Sequence, residues 1–179
     1  MEKIASFQID HIKLKPGLYV SRKDRFGATT LTRHIGLYYM SSANKGYSGG
    51  TTITTFDLRF KAPNKEPVME IAAMHTIEHL GATFLRSHPE WLSKIVYFGP
   101  MGCRTGFYLI VEGDWDSRGI LPLMRELLAW VETFDGEIPG ASAVECGNWE
   151  EQDLETAKLE CRRYAEILGN PREEILNYP

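Results

Sequence analysis

The segment from His75 to His79 carries the residues of this chain that are best suited to bind a metal ion. It reads His-Thr-Ile-Glu-His, with two imidazoles four positions apart and a carboxylate directly before the second. If the segment is helical, His75 and His79 share one face, because side chains at i and i+4 are neighbours there. Two neutral imidazoles on one helical face supply half of a transition-metal site. The spacing therefore predicts a pair of metal ligands on a helix.

Glu78 adds a second kind of chemistry to this segment. It lies about 100° around the helix from His79, so its carboxylate can reach the edge of a metal site without ligating the ion. That position suits a general acid/base. Read as H-x-x-E-H, the segment is the inverted form of the zinc-protease motif. Paired histidines on a helix also occur by chance, so the motif alone is equally compatible with an ordinary helix.

A third metal ligand must come from elsewhere in the chain, because catalytic sites commonly use three protein ligands and leave one position open. The candidates are Cys146, Cys103, His11 and several carboxylates. A Cys146 thiolate would be a strong soft ligand, and the following Gly147 would let the backbone approach closely. A lone cysteine is more often a small buried residue, so the sequence leaves the third ligand open.

Cys103 is also a candidate for proton transfer or nucleophilic attack. It lies between Gly102 and Arg104, in a segment that joins two predicted strands. A neighbouring guanidinium or a metal ion favours the thiolate, which suits both roles. The alternative is an exposed turn residue without chemistry. Cys161, in contrast, falls in an amphipathic helical pattern, where core packing is expected.

Arg59 and His11 are less specific candidates. Arg59 lies on one face of a predicted strand, opposite Phe56 and Leu58. It could bind a substrate carboxylate or hydroxyl, pair with Asp57, or form an ordinary surface ion pair. His11 could be a ligand, an acid/base or a capped turn residue.

Length and composition predict one ordinary globular domain. The chain has 179 residues with 43% hydrophobic and 25% charged side chains, which suits a single core. A net charge of −4 gives no support for binding to nucleic acid or to an anionic membrane. No run of about 18 apolar residues predicts a membrane span, and residues 1–7 lack the apolar core of a signal peptide. Three irregularly spaced cysteines favour a reducing cytoplasm over a disulfide framework.

Hydrophobic periodicity predicts the secondary structure. Period-two patterning predicts strands, and helical spacing of apolar residues predicts helices. The strands are expected over 51–60, 95–98 and 106–112, and the helices over 69–86, 116–134, 154–168 and, as a short last element, 171–178. Residues 4–20 are interpreted as an extended arm or strand pair, and residues 21–50 as a long polar excursion with a short strand at 34–39. Strands and helices do not alternate regularly, so we predict class α+β, with an antiparallel sheet packed against helices in one domain over 1–179.

Taken together, these segments resemble the LuxS family of S-ribosylhomocysteine lyases. The resemblance runs through five motifs in order, from residue 4 to about residue 168. The motifs are Ser6-Phe7-x-x-Asp10-His11, Phe56-Asp57-Leu58-Arg59-Phe60 with Pro63-Asn64, His75-Thr76-Ile77-Glu78-His79-Leu80, Pro100-Met101-Gly102-Cys103-Arg104-Thr105-Gly106-Phe107-Tyr108, and Cys146-Gly147. The resemblance implies a metallohydrolase-like α/β sandwich.

The resemblance implies a ligand set and a cofactor. His75, His79 and Cys146 correspond to the family's three metal ligands, which leave a fourth position open. One divalent metal ion per subunit is implied, with Fe(II) as the native ion and Zn(II) or Co(II) as substitutes. Softness and geometry allow any of these ions, so the ligand set does not choose among them.

The resemblance also implies a reaction and a partner. The family cleaves the thioether of S-ribosylhomocysteine to homocysteine and 4,5-dihydroxy-2,3-pentanedione, the autoinducer precursor used in quorum sensing. Cys103 and Glu78 resemble the family's acid/base pair, and Arg59 resembles its active-site arginine. Substrate-binding residues that cross a homodimer interface are implied at the N-terminus: Ser6, Phe7 and His11.

The sequence departs from the family pattern at two places, and two other functions are compatible with the histidine motif. Members often carry an aspartate where this chain has Tyr97, six residues before Cys103, and residues 22–50 form a longer stretch than the family leads us to expect. From the bare H-x-x-E-H motif, an inverted-zincin-type metallopeptidase is the main alternative, with Glu78 activating a metal-bound water. A non-catalytic metal-binding or sensor module is the other.

Overall fold

The computed structural model describes residues 11–26 and 51–179. The expectations for residues 1–10 and 27–50 lie outside the described residues. These include Ser6, Phe7, the strand predicted at 34–39 and most of the polar excursion. Residues 21–26 are described, and they continue a strand rather than begin an excursion.

Four antiparallel strands form one sheet within the described residues. The strands are β1 (Gly17–Phe26), β2 (Thr51–Arg59), β3 (Ile95–Pro100) and β4 (Gly106–Glu112), in the spatial order β1–β2–β4–β3. β2 and β4 are close to their predicted bounds, because both carry clear apolar patterns. β1 runs further than its sequence suggests, because residues 22–26 continue to pair with β2.

Three α-helices and a short 3-10 helix accompany the sheet. They are α1 (Ile71–Ser87), α2 (Ser117–Thr133), α3 (Leu154–Gly169) and the 3-10 helix Glu173–Ile175. Asp116 caps α2 by accepting a hydrogen bond from the Gly119 amide at 2.7 Å, and Asp153 caps α3 through the Thr156 amide at 2.9 Å. The helices match their predicted ranges, although the last predicted helix shortens to a single 3-10 turn.

One hydrophobic core joins the sheet to all three helices. Its buried members include Phe56, Leu58, Phe107, Leu109, Ile77, Leu80, Leu127, Leu128, Cys161, Tyr164 and Leu168. The α+β prediction, with an antiparallel sheet packed against helices in one domain, is therefore confirmed. None of the described helices has the length and apolar character needed to cross a membrane.

A row of polar side chains lies across three neighbouring strands. Tyr19, Asp57 and Tyr108 are cross-strand neighbours in β1, β2 and β4, so their side chains share one face of the sheet. Tyr178, from the last residues of the chain, stacks on Tyr19 with ring centroids 4.8 Å apart. The C-terminal segment therefore covers this face and buries polar groups on it.

Candidate metal centre and thiol site

Helix α1 presents His75 and His79 to each other as the i, i+4 spacing predicts. Their Nε2 atoms lie 3.0 Å apart, and the two rings meet edge to face at 81°. Both residues are half-buried. The imidazoles therefore converge on one point beside the helix rather than projecting separately into solvent.

Backbone carbonyls fix the tautomer of both rings. His75 Nδ1 lies 2.9 Å from the Glu151 carbonyl oxygen, and His79 Nδ1 lies 2.7 Å from that of Pro139. A carbonyl oxygen only accepts hydrogen bonds, so each Nδ1 donates its proton to the carbonyl. Gln152 Nε2 also lies near His75 Nδ1, at 3.2 Å, but the carbonyl contact is the shorter of the two. In a neutral ring the Nε2 atom then has a lone pair and no hydrogen. The orienting bond from the second ring nitrogen is the usual support of a metal-ligating histidine.

Cys146 joins this pair from the loop between α2 and α3. Its Sγ lies 3.4 Å from His75 Nε2, and the three potential donor atoms all lie within 4.8 Å of one another. A turn of backbone places it, since the Cys146 amide donates to the Ser142 carbonyl at 2.9 Å. The Asn148 amide lies 3.4 Å from the sulfur, where it can donate to a thiolate. Space around Gly147 is open, so its small size is not required by a close contact.

The three side chains fit a divalent ion. Two Nε2 lone pairs that face each other at 3.0 Å repel unless a proton or a metal cation lies between them. For a tetrahedral ion with metal–nitrogen bonds of about 2.0–2.1 Å, the nitrogens would lie about 3.3–3.4 Å apart, and sulfur and nitrogen about 3.5 Å apart. The observed separations of 3.0 and 3.4 Å are close to these values. Among residues 11–26 and 51–179, this is the one cluster of three histidine, cysteine or acidic side chains with such geometry.

Gly140 shapes the loop that supports His79. Its φ of +74° is the left-handed conformation that glycine adopts without strain. A Cβ at this position would lie 3.1 Å from His79 Nδ1. The glycine therefore lets the Pro139 carbonyl reach the ring nitrogen that it orients.

The remaining predicted residues occupy different places. Glu78 lies on α1 directly before His79 and is half-buried. His11 lies in a turn ahead of β1 and is half-buried. Cys161 is 1% exposed, and burial raises the pKa of its thiol, as a core residue requires.

Cys103 forms the second chemical group, together with Arg59. The Cys103 side chain is exposed at the tip of the turn between β3 and β4. Arg59 Nη1 lies 4.0 Å from its sulfur. The Arg104 guanidinium, which the sequence places next to Cys103, instead reaches the Met69 carbonyl at 3.5 Å. The cation that faces the thiol therefore comes from β2 rather than from the neighbouring residue.

Arg59 is a buried ion-pair partner rather than a surface one. It is 3% exposed and Asp57 is 2% exposed. Arg59 Nε donates to Asp57 Oδ1 at 3.0 Å, and Nη2 donates to Oδ2 at 2.5 Å. Burial opposes the guanidinium charge, but the hydrogen bonds and charge of Asp57 outweigh it and raise the pKa of Arg59. This fork–fork pair fixes the guanidinium in the plane from which it faces Cys103.

Two further partners of this group were missed by sequence reasoning. Thr105 Oγ1 accepts from Arg59 Nη1 at 2.5 Å and lies 3.0 Å from Cys103 Sγ. Tyr178 donates to Asp57 Oδ2 at 2.9 Å from 121 positions away. The only signal for Thr105 is its place two residues after Cys103, and Tyr178 gives no local signal at all.

Comparison with known proteins identifies the family. The profile of S-ribosylhomocysteinase (LuxS) matches residues 33–174. The chain belongs to the LuxS family. Curated relatives named S-ribosylhomocysteine lyase are similar over the whole chain. The relative from Desulfotalea psychrophila is 53% identical over 180 residues, and the one from Clostridium acetobutylicum is 49% identical over 179 residues. Each of these matches covers 100% of this chain and 99% of the relative. One from Borreliella burgdorferi is 50% identical over 179 residues and all of both chains.

Membership of the LuxS family confirms the resemblance drawn from the five motifs. It also confirms that the chain belongs to a family of carbon–sulfur lyases.

Tyr97 is one of the two departures from the family pattern. It lies on β3, next to an irregularity in the pairing of β3 with β4, and is 37% exposed. A Cβ at Gly99 would lie 2.0 Å from the Tyr97 hydroxyl oxygen. The phenol therefore folds back along the strand over this glycine.

Proposed function

We propose that this chain cleaves the thioether of S-ribosylhomocysteine to homocysteine and 4,5-dihydroxy-2,3-pentanedione. The proposal includes one divalent ion per subunit, held by His75, His79 and Cys146. The observation that carries it is the convergence of these three donor atoms within 4.8 Å in a chain whose relatives are named for this reaction. Fe(II) is the proposed native ion, with Zn(II) or Co(II) as substitutes, because the mixed nitrogen and sulfur set accepts all three.

The chain's own residues then bind the ion and move protons. When bound, a divalent ion supplies Lewis-acid polarisation of the open-chain sugar's carbonyl group, which acidifies the adjacent C–H. The His75 and His79 rings are oriented for ligation by their Nδ1–H bonds to backbone carbonyls. Three protein ligands would leave one position of a bound ion for substrate, as in other three-ligand catalytic sites.

Cys103 and Glu78 are the proposed proton carriers. As a thiolate, Cys103 removes a proton from one sugar carbon and returns it to the next, so that the carbonyl group moves along the chain. Arg59, at 4.0 Å from the sulfur, supports the anionic form. Glu78 lies next to a proposed ligand on α1 and serves as the second acid/base.

Elimination completes the reaction without a redox change. Once the carbonyl group lies β to the sulfur-bearing carbon, loss of the intervening proton forms a carbon–carbon double bond and breaks the C–S bond. The bonding electrons leave with sulfur, and the homocysteine thiolate takes up one proton. The enol that remains becomes the diketone by proton transfer. Two acid/base groups are therefore sufficient.

The third ligand argues against the peptidase alternative. Peptidases that pair histidines on a helix typically take a carboxylate as the third ligand, whereas the donor set here includes a cysteine. A peptidase would also have no use for an exposed thiol facing a buried arginine.

A thiol-release assay tests the proposal. We expect metal-loaded protein to release homocysteine from S-ribosylhomocysteine and to leave unstructured peptides intact. Cys103→Ala and Glu78→Gln should each lose at least about 100-fold in kcat, the usual contribution of an acid/base group, while retaining stoichiometric metal. Cys161→Ala is the control and should keep near-normal turnover.

Three outcomes would overturn parts of the proposal. Peptide cleavage without thiol release would favour the peptidase. Metal binding with no turnover of either substrate would favour a sensor module. Full activity in Cys103→Ala would remove the thiol from the mechanism.

The proposed assembly is a homodimer with composite sites. In this arrangement Ser6, Phe7 and His11 of one subunit contact the substrate that is bound at the other subunit's metal and thiol. The family supports this element of the proposal. It is also compatible with the placement of His11 in a turn ahead of β1, the outermost strand among the described residues.

A further inference from the structure

Thr105 lies at the junction between the buried ion pair and the exposed thiol. It is the last residue of the turn that carries Cys103, directly before β4, and it is 4% exposed. Its hydroxyl oxygen contacts both Arg59 Nη1, at 2.5 Å, and Cys103 Sγ, at 3.0 Å. It is therefore the one side chain in the described structure that bridges these two groups.

The direction of the hydrogen bonds follows from the donors available. A guanidinium has no acceptor, so Thr105 Oγ1 must accept from Arg59. The hydroxyl hydrogen then remains for the Cys103 sulfur. A hydroxyl that already accepts from a cation is a stronger donor, because neighbouring hydrogen bonds polarise one another. The structure thus sets up a relay from Arg59 through Thr105 to Cys103.

The backbone and the ion pair hold this relay still. The Thr105 carbonyl accepts from both the Phe60 and the Lys61 amides at 3.0 Å. Arg59 is fixed from the other side by Asp57. The hydroxyl consequently cannot move away from the sulfur without breaking buried contacts.

We propose that Thr105 is a positioning residue for Cys103. It donates to the sulfur when Cys103 is a thiolate, and accepts from the S–H group when Cys103 is protonated. The same oxygen therefore holds the sulfur in place in both states of a proton carrier, and the donor to the anion makes the stronger, charge-assisted bond. This rests on the proposed function, in which Cys103 alternates between these states.

Three charged or titratable groups of the described structure act on the Cys103 thiol. Arg59 faces the sulfur from β2, with Asp57 behind it. Tyr108, on β4, interacts electrostatically with the thiol, and burial followed by the Asp57 charge raises the pKa of that phenol. The phenol is therefore neutral in the working range, and Arg59 and Thr105 are the groups that favour the thiolate.

Thr105→Val, Thr105→Ser and wild type in metal-loaded form test the proposal. Valine keeps the shape and removes the hydroxyl, whereas serine keeps the hydroxyl. We expect Thr105→Val to lower kcat at least about tenfold, the factor for a hydrogen bond to a charged group, with KM within about twofold because the contact is to Cys103 and not to substrate. Thr105→Ser should restore kcat to within about threefold of wild type. Thr133→Val, at the exposed end of α2, is the control for a threonine-to-valine change.

The pH profile of Cys103 alkylation is the readout that a purely structural role would not move. Iodoacetamide labelling at Cys103, followed by peptide mass spectrometry, should shift to higher pH in Thr105→Val and stay near wild type in Thr105→Ser. Unchanged kcat and an unchanged profile in Thr105→Val would overturn the proposal, as would a Thr105→Ser variant that is as impaired as Thr105→Val. If wild type released no thiol, the proposed function would fail, while the labelling profile would still test the Thr105–Cys103 contact.

Discussion

The two nitrogens of each histidine in the α1 pair have different environments. Nδ1 of His75 and of His79 faces a backbone carbonyl, and Nε2 of each faces the other ring. Nε2 of His75 also lies 3.4 Å from Cys146 Sγ. Because the carbonyls hold the protons on Nδ1, a pair of lone pairs is directed at one point. At the scale of single residues, the metal proposal depends on this tautomer and on one sulfur.

The sulfur ligand can be tested in cobalt-loaded protein. We expect a sulfur-to-cobalt charge-transfer band in wild type that disappears in Cys146→Ala, because the only proposed thiolate ligand is removed. Cys161→Ala and Cys103→Ala are matched controls and should keep the band. A band that persists in Cys146→Ala would show that the sulfur ligand has been assigned to the wrong cysteine.

Residue types and spacing were enough to predict the histidine pair, because the helical period fixes which side chains meet. They left the third ligand open among Cys146, Cys103 and His11, since a loop residue has no such period. They also placed Arg104 beside the thiol by sequence adjacency. The positive φ of Arg104, +58°, turns its side chain away from that path, and strand pairing brings Arg59 instead.

At the scale of elements, α1 is positioned against β3 by a missing side chain. A Cβ at Gly81 would lie 2.3 Å from Phe98 Cε1, so the helix approaches the sheet as closely as glycine allows. The same helix carries His75 and His79, so this contact also sets how the pair faces the loop.

Gly81→Ala should destabilise the protein even though alanine is the better helix former. Alanine gains about 1 kcal/mol in helix propensity, but the overlap with Phe98 costs about 1–3 kcal/mol through forced shifts in a packed core. We therefore expect a net loss in the free energy of unfolding, measured by urea denaturation. Gly169→Ala is the control, because a Cβ there meets open space, and it should be neutral or stabilising. Equal stability of Gly81→Ala and wild type would contradict the packing argument.

The C-terminal segment is the element that the sequence explained least. Tyr178 stacks on Tyr19 and donates to Asp57. Burial, followed by the charge of Asp57, raises the pKa of Tyr178 well above its usual value. Because its pKa is raised, Tyr178 keeps its proton in the folded state at a pH where the unfolded chain has lost it. The contribution of Tyr178 to the free energy of unfolding is therefore complete below about pH 10, and it is lost as the pH rises through the folded-state pKa.

Tyr178→Phe should therefore cost about 1.5–3 kcal/mol at neutral pH, the range for a hydrogen bond to a charged group. As the pH rises above about 10, the variant should also lose less stability than wild type. The reason is that unfolding of wild type releases the Tyr178 proton, which the variant does not have. Urea unfolding across pH measures both effects. Tyr97→Phe, at a 37% exposed position, is the control. Parallel pH curves for wild type and Tyr178→Phe would contradict this account.

At the scale of the whole molecule, the fold class followed from pattern while the long-range contacts did not. Alternation in β2 and helical spacing in α1 each depend on residues close in sequence, so their bounds were close to the observed ones. The Tyr178–Asp57 bond joins residues 121 positions apart, and no local pattern encodes such a pairing. The same reason hides the partnership of Arg59 with Thr105, which depends on the register of β2 and β4.

The proposed composite site can be tested with mixed dimers. A dimer of one Cys103→Ala subunit and one His11→Ala subunit has one site with both changes and one with neither. Random co-assembly of two inactive variants should thus restore about a quarter of wild-type activity, since half of the dimers are mixed. Thiol release after co-expression measures this. Absence of recovery, with mixed dimers shown to form, would place each site within a single subunit.

An anomalous scattering map from crystals of zinc-loaded protein tests the proposed metal site most directly. We expect one peak per subunit, about 2.0–2.1 Å from Nε2 of His75 and His79 and about 2.3 Å from Cys146 Sγ. Two results would contradict the proposed ligand set. One is a peak at another place in the protein, and the other is a Cys146 sulfur more than about 4 Å from the ion, which is far longer than a zinc–thiolate bond.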